Sequence, residues 1–312
     1  MMLMSVSRIV TIICLTFSLT VMASPLTGPL ASVVSGGEAT TGIFNPHALD
    51  SFFEQLAAFE AHTRQRPLRI MQYGDSHTKA GLFTGAAQMG LQRSIAGRAS
   101  LGVRDTSYTR DTYKTSTIVY QAIGVNGARL TRLRDMSESV SFMQSVAQNR
   151  PDLVVIAYGT NEVTDRNWTL ESYADMLAGI ITRIRSAAPE ASFLILGPPD
   201  RSVSGSGGWA SVGRISLMLD AQRKAATTAG AAFWSEYNAM GGAGSMNEWV
   251  ARGLGQSDHV HCTAAGYNRL GMKLAADLIE TYRGGSLEYH ESLNGLDLRV
   301  MRGVPVTSKT AN

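Results

Sequence analysis

Residues 68–81 read LRIMQYGDSHTKAG. An apolar run of strand length, LRIMQY (68–73), meets a glycine and then three polar side chains, Asp75, Ser76 and His77, before a helical pattern takes over at 79–96. A run this short, closed by turn chemistry and followed by helix, predicts a buried strand feeding a helix. The same unit recurs along the chain. Strands are predicted at 117–123 (TIVYQAI), 152–158 (DLVVIAY), 193–197 (FLILG) and 231–235 (AAFWS), with helical patterns at 129–148, 169–187, 212–229 and 264–283 between and after them. A further helix is predicted from Asn45, where Leu49, Phe52, Phe53, Leu56 and Phe59 recur at helical spacing and Pro46 suits a first turn. Near-continuous apolar strands alternating with helices imply a parallel sheet covered on both faces, so the expected fold is a single doubly wound α/β domain with five parallel strands. Two stretches break the alternation, 98–116 and 236–257, and are expected to be long irregular loops.

The composition allows such a core. Of 312 residues, 44% are hydrophobic and 17% charged, enough for one large domain and far from a disordered chain. The first 23 residues carry one charge, Arg8, then an apolar stretch, then Val21 and Ala23 at the minus-three and minus-one positions of a cleavage site. This pattern predicts a signal peptide and a periplasmic or secreted protein. The apolar segment is shorter than the ~20 residues that span a bilayer, so no membrane anchor is expected after cleavage. Cys14 is followed by Leu15 and Thr16, so the small residue that follows a lipoprotein cysteine is missing. Residues 24–45, rich in Gly, Ser, Thr and Pro, read as an extended leader, 46–283 as the folded domain and 284–312 as a tail. Loss of Arg8 takes the formal net charge from +3 to +2 and leaves Cys262 as the sole thiol, so no internal disulfide is expected. The basic residues are scattered, which argues against a nucleic-acid partner.

Ligands of an open parallel sheet bind outside the carboxyl ends of its strands. Four polar blocks fall at that rim: GDSHT after the first predicted strand, GVNGARL after the second, GTNEV after the third, and SDHVHCTAAGY before the last helix. A serine hydroxyl becomes a nucleophile only with a base and an orienting acid. Asp258 and His261, three apart in a loop, supply such a pair in the chain order Ser, Asp, His. The backbone N–H groups of Ser76 and Gly127 and the side-chain amide of Asn161 offer donors for a developing oxyanion, each worth roughly 2.7 to 4 kcal/mol in other enzymes. The alternative is a dinuclear metal site, suggested by Asp75-x-His77, GTNE and His259-x-His261. Such a site needs a bridging aspartate and several more imidazoles. The chain has six histidines, with His47, His62 and His290 in a surface helix or the tail, so neither metal nor cofactor is expected. His259 and His261 lie on the same side of an extended stretch, so alternation leaves open which is the base.

Together the four blocks resemble the SGNH hydrolases, or GDSL-like esterases. The resemblance is carried by Gly74, Asp75 and Ser76, by Gly127, by GTNE (Gly159, Thr160, Asn161, Glu162) and by Asp258 and His261, in order over about residues 68–283. It implies a flavodoxin-like three-layer α/β/α fold and metal-free ester hydrolysis through an acyl-enzyme. Ser76 would be the nucleophile, His261 the base, Asp258 its partner, and Ser76, Gly127 and Asn161 the oxyanion hole. His77 departs from the family, which often has an apolar residue there. GDSHT combined with WSEYNAMGGAGSMNEW and DHVHCTAAGY is similar to exported bacterial esterases that remove O-acetyl groups from peptidoglycan, which implies an O-acetylated envelope glycan as substrate. Transfer of the acetyl group to a sugar hydroxyl, and non-catalytic glycan binding, stay open as alternatives. His77, His259 and Trp249 are candidate substrate-binding residues. Of three tryptophans able to stack on a sugar, Trp209, Trp234 and Trp249, the second ends a strand and the third, in the Gly-rich loop 241–256, is the expected platform. Glu162 is expected to orient Asn161 or face water, and Cys262 to be a buried spectator.

Overall fold

The computed structural model describes residues 42–96 and 117–284, and the backbone of two short strands at 290–292 and 295–297 that pair antiparallel. The expected signal peptide, the leader up to residue 41, the loop 98–116 and the rest of the tail lie outside the described residues.

The stretch LRIMQYG forms β2 (Leu68–Gly74) of a sheet with β3 (Ile118–Gly124), β4 (Leu153–Ala157), β5 (Ser192–Gly197) and β8 (Ala232–Ser235), all parallel. Between β5 and β8 a separate antiparallel hairpin is made by β6 (Ser202–Gly205) and β7 (Gly208–Ser211). The central sheet has six strands rather than five. β1 (Ile43–Phe44), at the end of the stretch read as leader, pairs antiparallel with the outer edge of β8. Two residues are too few to show a strand period, which is why the sequence pattern misses it.

The order β1-β8-β5-β4-β2-β3 places β2 between β3 and β4. The chain runs from β2 outward to β3 on one side, then crosses back to β4 and continues outward on the other, so the topological switch point lies between the C-terminal ends of β2 and β4. Side chains of each central strand alternate between two apolar layers. Met71, Tyr73, Val154, Ile156, Phe193 and Ile195 meet α4 (Leu130–Ser137), α5 (Val140–Asn149), α6 (Leu170–Ala187) and α7 (Ile215–Ala229). Ile70, Leu153, Val155, Leu194 and Leu196 meet α1 (Asp50–Glu60), α3 (Leu82–Ala96) and α10 (Ala264–Arg283). Both sets are apolar because both faces are covered, and the three-layer α/β/α architecture follows.

Three local readings change. The helix expected at 129–148 is two, α4 and α5, split at Glu138–Ser139. The helix expected from 79 is preceded by a separate short turn, α2 (Ser76–Lys79), and α3 starts only at Leu82. The loop 236–257 contains α8 (Glu236–Met240) and α9 (Ser245–Ala251). Among the described residues no helix is long and apolar enough to cross a membrane.

Candidate active site

The register of the sheet gathers the polar blocks at one rim. Gly74 pairs with Gly124 on one side and Ala157 on the other, so β2, β3 and β4 end level and release GDSH, VNGA and GTNE side by side. Gly74 is required by space. A Cβ there would stand 2.1 Å from Thr78 Oγ1 and 2.7 Å from the Ala157 carbonyl. Asp75 then caps α2 by accepting the His77 N–H at 2.9 Å, and Ser76 opens the helix half-buried, with its hydroxyl toward the rim.

From the far end of the chain, the loop before α10 brings back the partners. Ser76 Oγ lies 2.9 Å from His261 Nε2, and His261 Nδ1 lies 2.6 Å from Asp258 Oδ2. An ionised carboxylate only accepts, so Nδ1 carries the proton and Nε2 presents its lone pair to the serine O–H. Partial burial alone would raise the Asp258 carboxyl, but hydrogen bonds from the His261 ring and from the His261 and Val260 N–H groups outweigh it and hold it below the ordinary carboxylate range. Ser76, Gly127, Asn161 and His261 all line one cleft of about 520 Å³. Gly127 sits in a turn closed by Ala128 N–H to Val125 O and has φ 69°. No heavy atom lies within 4 Å of where its Cβ would be, so the left-handed backbone is the constraint that calls for glycine. Asn161 donates one amide hydrogen to Ala128 O at 2.9 Å, which leaves the other for a ligand.

Glu162 neither orients Asn161 nor faces water. It is buried, and its Oε1 accepts the Leu130 N–H at 2.6 Å, so it braces the segment that carries Gly127. Burial first raises its pKa, the Leu130 hydrogen bond lowers it and nearby Asp75 raises it, for a value of about 7. His77 does not reach the cleft. It is 6% exposed behind the catalytic loop, its ring stacked on that of His261 at 5.0 Å and its Nδ1 3.0 Å from the Tyr267 hydroxyl, so its expected contact with substrate is replaced by contact with His261. Burial, then the charge of His261, pushes its pKa down to about 3, so it stays neutral. Cys262 is buried, and burial drives its thiol far above the ordinary range.

Trp249 is a correction. It is 3% exposed in α9, packed in the core, with Nε1 donating to Met240 O at 3.1 Å, and no substrate ring reaches it. The Gly-rich composition of its loop reads as irregular, yet short helices turn the indole inward. His259 lines no part of the cleft and instead stacks on Trp209. Lys79, Leu82, Asn126 and Gln256 line the cleft without having been singled out. Lys79 stands one helical turn from Ser76 and Asn126 beside Gly127, signals that were there to read. Tyr267 carried none, since only packing of α10 brings it to His77. Among the described residues no three His, Cys, Asp or Glu side chains converge as metal ligands.

The family described as GDSL-like Lipase/Acylhydrolase matches residues 73–269. No curated protein matches the chain by sequence. Among solved structures, one described as a peptidoglycan O-acetylesterase is 20% identical, covering 78% of this chain and 100% of its own, with a TM-score of 0.66. A lipase/acylhydrolase from Enterococcus faecalis is 20% identical over 69% of this chain and 96% of its own, with a TM-score of 0.45. An acetylxylan esterase from Geobacillus stearothermophilus is 16% identical over 69% and 96%, with a TM-score of 0.43. At 20% identity the likeness to the first of these is one of fold.

Proposed function

The chain belongs to the GDSL-like lipase/acylhydrolase family and is an ester hydrolase of that type; from this premise we propose that it removes O-acetyl groups from a cell-envelope glycan, peptidoglycan first, through an acetyl-enzyme on Ser76. The observation that carries the reading is the chain of contacts from Asp258 through His261 to Ser76, ending in the cleft that Gly127 and Asn161 also line. Ser76 Oγ attacks the acetyl carbonyl while its proton passes to His261 Nε2. The carbonyl oxygen becomes an oxyanion held by the N–H groups of Ser76 and Gly127 and the Asn161 amide. Collapse breaks the bond to the sugar oxygen, which takes the proton from His261 and leaves as the hydroxyl. Water, deprotonated by His261, then attacks the acetyl carbonyl, and release of acetate returns the proton to Ser76.

Two features support the finer reading. The combination GDSHT, WSEYNAMGGAGSMNEW and DHVHCTAAGY resembles esterases of O-acetylated peptidoglycan, and the apolar segment with Arg8 at its start supports export to the compartment where such a polymer lies. Acetate release from O-acetylated peptidoglycan, alongside other acetylated glycans and an aryl acetate, tests it. We expect release from peptidoglycan, lost in Ser76→Ala by about four to six orders of magnitude. Full turnover by Ser76→Ala would rule out the nucleophile. Release from another glycan alone would leave the esterase and remove the substrate, and net acetylation of a glycan would favour transfer over hydrolysis.

A further inference from the structure

Trp249 is buried, whereas Trp209, on β7 of the hairpin beside the catalytic loop, is 43% exposed. It is also held still. Its indole lies flat on the imidazole of His259, with centroids 3.9 Å apart and planes 10° from parallel. Asn247 of α9 clamps both partners: its Nδ2 donates to Trp209 O at 2.9 Å, and its Oδ1 accepts from His259 Nδ1 at 2.8 Å. Because the amide nitrogen is committed to a carbonyl, its oxygen faces His259, so Nδ1 carries the hydrogen. Trp209 Nε1 and His259 Nε2 remain without a protein partner among the described residues. The hairpin root is fixed as well. Arg201 Nη1 donates to Thr160 O, next to Asn161, and the Ser202 N–H donates to His259 O at 2.9 Å. Below it the fully buried Asp200 accepts from the Ser211 hydroxyl and the Met246 N–H. His259 adopts φ 56°, a left-handed conformation that a non-glycine residue holds only when its surroundings impose it.

A part-exposed indole held by stacking and edged by one indole N–H and one imidazole nitrogen matches a pyranose ring. The axial C–H bonds of such a ring pack on an indole, and its hydroxyls take hydrogen bonds at the rim. We propose that Trp209 and His259 form a pyranose-binding platform on the rim of the cleft, which holds a neighbouring sugar of the polymer whose acetyl group reacts at Ser76. The proposal rests on the glycan-esterase reading and names where the polymer runs: from the cleft across the catalytic loop to the hairpin. Little ordering entropy is lost on binding, because the Asn247 bond to the imidazole and the stack between the two rings already hold them.

Kinetics of Trp209→Ala and Trp209→Phe on O-acetylated peptidoglycan and on an aryl acetate test it, together with fluorescence titration of a β-linked N-acetylglucosamine hexamer. For Trp209→Ala the rise in KM on the polymer should exceed any change on the aryl acetate by about tenfold, with kcat on the polymer nearly held and Trp209→Phe recovering much of the loss. The hexamer should change the fluorescence of the parent protein and not that of Trp209→Ala. Equal losses on both substrates would mean that Trp209 merely supports the loop, and no loss on the polymer would also overturn the platform. If the parent protein cleaved the aryl acetate and no glycan, the glycan-esterase reading would fall. The hexamer titration would then decide the platform alone, and no response from the parent protein would overturn it.

Discussion

His259 and His261 stand two residues apart in one loop and do opposite things. His261 turns inward, with Ser76 at its Nε2, Asp258 at its Nδ1 and His77 against its face. His259 turns outward, stacked on Trp209 and bonded to Asn247. In an extended strand the two rings would share a side. The positive φ of His259 breaks that alternation, so one ring turns to Ser76 and the other to Trp209. A single backbone angle thus divides the loop into a side that meets Ser76, the reacting side of the proposed mechanism, and a side that meets Trp209, the proposed platform.

The comparison is broken most severely by exchanging the two residues' losses. His261→Ala should lower aryl acetate turnover by about four to six orders of magnitude, and His259→Ala by less than about tenfold. Comparable losses in the two variants, measured as kcat/KM, would end the division. Asn161→Ala removes one oxyanion donor and should cost about 10²- to 10³-fold in kcat with KM little changed. Smaller still is the effect behind the reacting side. His77→Leu removes the neutral ring on which His261 rests, and kcat should fall by about 10- to 100-fold through loss of alignment. Because His77 is neutral throughout the working range, the acid limb of the pH profile should survive this change, and its disappearance would assign His77 a proton-transfer role.

The smallest expected effect concerns stability. Glu236, buried at the start of α8, has its pKa raised by burial, then by Asp75, from 4.5 to about 8. The folded protein therefore holds a proton that the unfolded chain has released. This contribution is full below the ordinary carboxyl range and is lost as pH rises toward 8. Melting between about pH 5 and about pH 9 should fall less steeply for Glu236→Gln than for the parent protein. Parallel curves would show that Glu236 is ionised in the fold.

Much of this was legible from local pattern. Four of the parallel strands, β2, β4, β5 and β8, announce themselves because they are buried on both faces and so are mainly apolar, while β3 at the sheet edge is largely uncovered. The polar blocks stand out because they interrupt the apolar runs at strand ends. β1 escaped because two residues carry no period. Trp249 was expected to be exposed because a Gly-rich stretch reads as irregular from composition, while which way its indole turns depends on the short helix that carries it. Glu162 was visible as a charge after Asn161, yet its partner, the Leu130 N–H, lies 32 positions away.

By itself the sequence determined the layered α/β fold and the order of Ser76, Gly127, Asn161, Asp258 and His261, since strand burial and turn chemistry are local properties written in a few adjacent residues. Tertiary structure alone decided that His77 lies behind the site rather than in it and which tryptophan stays exposed, and it brings to Ser76 the histidine that the motif resemblance implied and strand alternation left open. Those outcomes depend on backbone angles and on contacts such as Tyr267 with His77, 190 positions apart, which form only when the sheet and α10 have packed.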